Sequence, residues 1–220
     1  MFLPNYQINE AARYTGVSPQ TVAAWHKEGG RKAVTLSQKD HRAALSYMQL
    51  IEVAVVASFR KEGVPLHRIR AARKFVATSL KSDFPFSEYR FKTDGQRLWI
   101  DYEQIEGKRG RGKLMGADNY GQLAWSEIIG RLKEFDYDEG VVVRWRVTGE
   151  RSPIIIDPRV SFGAPSIHGT PTWVIRGRWE AGEKVADIAK DFGIKSLDVR
   201  KALRFEGAIP EARRAKQWVH

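Results

Sequence analysis

The sequence predicts an α+β, mainly helical protein in three parts: residues 1–79 as a winged helix-turn-helix, 80–149 as a small mixed region with a β-hairpin, and 150–220 as a trihelical helix-turn-helix module with a basic tail. Three observations carry this reading. Apolar residues recur at helical spacing through both outer thirds. Between them, Tyr89 to Ile100 alternates about a turn of Thr93-Asp94-Gly95-Gln96. Short glycine-bearing breaks, at Gly16 and Gly193, separate pairs of short helices in the two outer parts.

Composition narrows the class. The 220 residues are 42% apolar, as in globular proteins, and contain no cysteine, so disulfides and thiolate metal sites are excluded. The longest apolar run, Leu50 to Phe59, is broken by Glu52 and is too short to span a membrane. Met1 to Asn5 lacks the basic-then-apolar pattern of a secretory signal, so a cytoplasmic protein is expected. The net charge of +11 is uneven: 12 Lys/Arg against 5 Asp/Glu in residues 1–79, 12 against 12 in 80–149, and 13 against 9 in 150–220. Basic outer parts are the footprint of modules that meet phosphate.

In the N-terminal part, Ile8, Ala11, Ala12 and Tyr14 form a short apolar face. Gly16 supplies the left-handed backbone of a sharp turn, with Val17 between the helices. Ser18 is an N-cap and Pro19 suits the first helical position. Val22 and Trp25 continue the core, leaving Gln20, Thr21, Ala23, Ala24 and His26 outward. Gly29-Gly30-Arg31-Lys32 and the β-prone Val34-Thr35-Leu36 make a wing. Ser37 with Asp40 starts a helix from Gln38 to about Glu62, with Leu45, Met48, Ile51, Val55 and Phe59 as its stripe. Gly63-Val64-Pro65 ends it, and Leu66 to Ala77 forms another helix with Arg68, Arg70, Arg73 and Lys74 on its polar side. The candidate DNA contacts are Ser18, Gln20, Thr21, Ala23, His26 and Lys27 on the second helix, and Arg31 and Lys32 on the wing.

The run Tyr6 to Val22 resembles the start of MerR-type regulators, and Gly63 to Arg70 resembles the segment those regulators place after their long helix. The resemblance covers about a third of the chain and implies a DNA-binding winged helix-turn-helix. Gln20 and Ala23 stand where the family often has arginine, so its base contacts do not carry over. Without cysteines, a MerR-type metal response is excluded. The rival for this fold is a helix-turn-helix used for protein contacts.

In the middle part, strands are expected from Phe84, with further elements at Gly121–Trp125 (strand), Ile128–Phe135 (short helix) and Val141–Val147 (strand). Gly107-Lys108-Arg109-Gly110-Arg111-Gly112-Lys113 has the spacing of a phosphate loop. Leu114 follows where a magnesium-holding Ser or Thr belongs, so the stretch reads as an exposed basic loop, with minor-groove insertion of Arg109 and Arg111 as the alternative. Asp136-Tyr137-Asp138-Glu139-Gly140 lacks the ligand count of a calcium loop and reads as an acidic turn.

In the C-terminal part, Ile154 to Asp157 is a short strand stopped by Pro158, and Ser161 to Pro171 is a loop. Thr172 caps a helix that Gly182 closes, a second helix carries Val185, Ile188, Ala189 and Phe192, and Ser196 caps a third with Leu197, Val199, Leu203 and Phe205. Asp157 to Gly163, Gly169 to Thr172, Ala181 to Glu183 and Asp187 to Gly193 resemble the domain-of-unknown-function family numbered four hundred and thirty-three. The resemblance implies a VapB-like antitoxin encoded beside a PIN-like ribonuclease toxin, and its longer subgroup, with an N-terminal MerR-like module, is similar over nearly the whole chain. Asp187, Asp191 and Asp198 disfavour phosphate at this end. DNA is therefore assigned to the N-terminal module, and dimerisation or toxin contact to the C-terminal one.

The tail carries Arg213, Arg214, Lys216 and Trp218. The antitoxin resemblance implies that these cations pair with the metal-holding carboxylates of a PIN-type nuclease while Trp218 anchors by burial. No catalytic constellation is present: the five histidines are scattered and no Gly-x-Ser-x-Gly elbow occurs, so no enzyme and no cofactor are expected. The expected partners are the cognate toxin, operator DNA and a second copy of the chain, with no membrane. Two rivals stand beside the antitoxin: a stand-alone regulator with a ligand cavity lined by Trp99, Trp125 and Trp145, and an interaction scaffold with no DNA role.

Overall fold

The computed structural model describes residues 1–26, 36, 44–61, 63–88, 91–93, 98–101, 113–116, 123–125 and 134–210. The chain is α+β and mainly helical, and divides into two compact units, Met1–Glu150 and Arg151–His220. The residues expected as a separate middle region thus share a unit with the N-terminal helices.

In the first unit, α1 (Ile8–Thr15) and α2 (Pro19–His26) pack together, and α1 also packs on α3 (Tyr47–Lys61). Tyr6 and Leu45 form an antiparallel bridge, with the Leu45 N–H 2.7 Å from the Tyr6 carbonyl. That bridge corrects the expected start of the long helix. The chain at 44–46 is not helical, so the helix begins at Tyr47, while Ser37 and Asp40 lie outside the described residues. The box that opens it is Ser46 with Gln49: the Ser46 N–H donates to Gln49 Oε1 at 2.9 Å, and the Gln49 N–H donates to Ser46 Oγ at 3.2 Å.

The stripe expected on α3 is too narrow. Every residue from Tyr47 to Ala57 is buried, as is Phe59, because Leu50, Val53, Ala54 and Val56 make the helix apolar on all sides. Glu52 lies fully buried within it. Gly63-Val64-Pro65 ends the helix as expected, the Val64 N–H bonding the Phe59 carbonyl at 3.0 Å, and α4 (Leu66–Ser79) follows.

The stretch after Phe84 is not a strand at first. Pro85–Glu88 is a helical turn, α5, because Phe86 is drawn into the core, where its ring meets Phe59 edge-on at 5.8 Å. The expected hairpin follows as β1 (Phe91–Thr93) and β2 (Leu98–Asp101), Thr93 opposite Leu98. It continues into an antiparallel meander through β3 (Lys113–Gly116) and the expected β4 (Leu123–Trp125). The strand at Lys113–Gly116 is absent from the sequence reading, which stops at the basic loop; residues 102–112, including Arg109 and Arg111, lie outside the described residues.

Phe135–Asp138 is strand β5, not a helix end, and Val141–Arg146 is β6. Glu139 and Gly140 both have positive φ, 46° and 87°, as a two-residue hairpin turn of primed type requires. The acidic segment is therefore mostly strand. Asp136 is held by Arg146 through two bonds of 2.6 and 2.8 Å, and Phe135 stacks on Trp145 with centroids 6.0 Å apart. Among the described residues no cluster of His, Asp or Glu is arranged to hold a metal.

The second unit begins with β7 (Ile155–Ile156), β8 (Ser166–Ile167) and β9 (Thr170–Pro171), antiparallel neighbours in that order. The Asp157 carboxylate accepts from the Arg159 backbone N–H at 2.9 Å and from its guanidinium at 2.9 and 2.8 Å, which sets the chain direction after β7. Three helices follow: α6 (Thr172–Glu180), α7 (Val185–Asp191) and α8 (Ser196–Phe205), around Ile175, Ile188, Val199, Ala202 and Leu203. Thr172 and Ser196 are not caps. Pro171 and Lys195 occupy the cap positions, and buried Thr172 donates its hydroxyl to Glu206 beyond α8. Of the apolar residues counted on the third helix, Val199 and Leu203 are buried and Leu197 is 56% exposed.

Candidate nucleic-acid interface

Gly16 (φ 69°, ψ 26°) turns the chain sharply out of α1, and the Val17 N–H caps the Ala12 carbonyl at 3.2 Å. Ser18 then caps α2 as expected: its Oγ accepts from the Thr21 N–H at 3.2 Å and lies 2.9 Å from Thr21 Oγ1. The Leu36 N–H donates to the Trp25 carbonyl at 3.1 Å, so the chain beyond the wing segment returns to the end of α2.

Of the predicted contacts, Ser18 and Gln20 are exposed, and Thr21 and Ala23 are half-buried on the same short helix. His26 is a correction. It is 7% exposed and shares the inner face with Val22 and Trp25, because it lies four residues after Val22, one helical turn along the same stripe. A buried imidazole cannot reach a base edge, so His26 leaves the contact set. Lys27, Arg31, Lys32, Arg213, Arg214, Lys216 and Trp218 lie outside the described residues. The sequence reading passed over Arg13, an exposed cation in the last turn of α1 that sits 5.1 Å over the Tyr14 ring. Its place one turn before Gly16 was the available signal.

Among the described residues of α1 and α2 the one acid is Glu10, in the first turn of α1, which accepts the Gln7 N–H at 2.7 Å. The second helix carries no carboxylate, and its outward surface fits a polyanion.

Behind it lies a cavity of about 740 Å³ lined by Arg13, Tyr14 and Gly16 of the reading head, Ser58 and Lys61 of α3, and Trp145 of β6. Ser58 donates to Glu134 at its wall. Trp145 thus lines a cavity as the ligand-pocket reading expected; the side chains of Trp99 and Trp125 lie outside the description.

In the second unit, α7 and α8 form a second helix-turn-helix about Gly193 (φ 63°). Arg178 ties its first two helices together. It bonds Glu183 at 2.8 Å through Nε and Asp191 at 2.6 Å through Nη2, and lies 5.1 Å over the Phe192 ring. The Arg178 hydrogen bond holds the Glu183 carboxyl below the usual carboxylate range, and the two acids raise the pKa of Arg178 further.

No helix of the described residues is long and apolar enough to cross a membrane. Residues 6–74 match the family described as MerR HTH family regulatory protein, and residues 154–205 match Protein of unknown function (DUF433). The chain is 24% identical over 224 residues to the candidate antitoxin VapB45 of Mycobacterium tuberculosis, covering 91% of this chain and 93% of that protein. The crystal structure of Rv2018 from Mycobacterium tuberculosis superposes with a TM-score of 0.63 at 22% identity, over 91% of this chain and 98% of the other, a likeness of fold. The chain therefore carries a MerR-like helix-turn-helix domain at its N-terminus and a DUF433 domain at its C-terminus.

Proposed function

We infer that the chain is the antitoxin of a type II toxin–antitoxin pair, one that binds a PIN-like ribonuclease toxin directly and represses its own operon as a cytoplasmic homodimer. The single observation that carries this reading is end-to-end similarity to a candidate antitoxin, over 91% of this chain and 93% of the relative, with both outer domains included. The carboxylate-free surface of α2 supports operator binding through Ser18, Gln20, Thr21 and Ala23, with Lys27, Arg31 and Lys32 assigned to the same surface from sequence. Toxin contact is assigned to Arg213, Arg214, Lys216 and Trp218. The reading has no catalytic step.

The test is co-expression with the neighbouring reading frame. Growth arrest by the neighbour alone, relieved by this chain and accompanied by co-purification, is the expected outcome. A neighbour that is harmless, or that arrests growth whether or not the chain is present, removes the antitoxin role. A second reading, a ligand-responsive regulator, is favoured by the cavity against α1. A metabolite that changes operator affinity with no neighbour present would support it.

A further inference from the structure

Two of the three carboxylates that argued against DNA at the C-terminal module are held in ion pairs. Asp198 is 7% exposed and lies 3.6 Å from Lys201 Nζ and 3.8 Å from His168 Nε2. It sits in the first turn of α8, where a carboxylate complements the helix dipole. Asp191 is engaged by Arg178 at 2.6 Å. Of the three acids between Lys184 and Arg204, Asp187 is the one for which no ion pair is found among the described residues, against six Lys/Arg in the same span.

The outward face of α8 has a specific composition. Its inner face is Val199, Ala202 and Leu203, all fully buried. On the other side Leu197, Arg200, Lys201 and Arg204 follow at i, i+3, i+4 and i+7, one stripe of the helix, with exposed Lys195 at the cap. Leu197 is 56% exposed. At that position it can meet a thymine methyl in a major groove, an apolar partner flanked by phosphates that need cations. The ten-residue helix is about 15 Å long, of the size that a major groove about 12 Å wide admits.

From this we propose that α8 is a second duplex-DNA-binding element, with Lys195 and Arg200 toward phosphate and Leu197 toward base edges. It is independent of the N-terminal reader, and a chain with both grips two separate segments of DNA.

The test uses the full chain and, as probe, the duplex immediately upstream of its own reading frame, read by anisotropy across a salt series and by hydroxyl-radical footprinting. The double variant Lys195→Glu/Arg200→Glu alters two exposed side chains. It is expected to lower affinity by at least about tenfold and the slope of log K against log salt by about 1.8, at roughly 0.9 per phosphate contact. One of two protected segments should vanish. The Ser18→Asp variant should weaken the other, by about fivefold for each phosphate approached. Unchanged slope and footprint in the double variant overturn the proposal, and so does loss of binding to the neighbouring gene's protein with DNA binding intact, which would make α8 a protein-binding face. Loss in the double variant with none in Ser18→Asp would keep α8 and remove the N-terminal reader. If the double variant melts early, Arg200→Gln alone is read in the same way, with a slope change of about 0.9.

Discussion

Ser18 separates the stability of the reading helix from its contact with DNA. Its Oγ satisfies the Thr21 N–H at 3.2 Å, and α2 buries only Val22, Trp25 and His26, so the first turn depends on the cap. Ser18→Ala removes the acceptor and should cost about 1 kcal/mol, within a range of roughly 0.5–2. In a unit of 150 residues that lowers Tm by about 2–4 °C. Ser18→Asp restores the cap, since Asp ranks with Ser there, and its charge gains about 0.3–1 kcal/mol from the helix N-terminus. Its Tm should match or exceed the wild type. Against DNA the same charge faces phosphate, where a like charge near 4 Å costs about 1 kcal/mol in water, or about fivefold in affinity for each phosphate approached. Differential scanning calorimetry and a gel shift on the upstream duplex give both numbers. The reasoning is refuted if Ser18→Asp binds as tightly as wild type, because then the N-terminus of α2 does not face DNA. It is also refuted if Ser18→Ala leaves Tm unchanged.

Phe59→Ala should destabilise the first unit by about 3–5 kcal/mol, since the ring is fully buried, and a double-mutant cycle with Phe86→Ala should return about 0.5–1.5 kcal/mol of coupling; additive urea-denaturation energies would contradict the edge-on pair. Glu183 titrates below its ordinary range in the fold, so its contribution is present above the unfolded pKa and is lost as pH falls through the folded one. Glu183→Gln should therefore flatten the loss of Tm below about pH 4.3, and an equally steep acid limb in both proteins would show that Arg178 does not act through Glu183.

Local patterns were legible wherever one turn of chain carries its own reason. Gly16, Ser18 and Pro19 specify the first helix-turn-helix without help from elsewhere, and Gly63-Val64-Pro65 specifies a helix end. The β1–β2 hairpin likewise follows from its own turn and alternation. Readings failed where a distant segment decides. Nothing near Ser37 says that Leu45 will pair with Tyr6, which delays α3 to Tyr47. Nothing near Pro85 says that Phe86 will meet Phe59 and wind the chain into a helical turn. His26 was the exception, misplaced although the i+4 rule from Val22 was available.

By itself the sequence determined the α+β class, the two helix-turn-helix modules, their positive charge and the family resemblances at both ends. Only the tertiary structure decided what the charges do. In the chain Asp191 and Asp198 count as negative charge against phosphate. In the fold, Arg178 stands 2.6 Å from the one and Lys201 3.6 Å from the other. The reason is that a net charge sums over residues irrespective of position, whereas the potential at a surface depends on which opposite charge stands within a few ångströms.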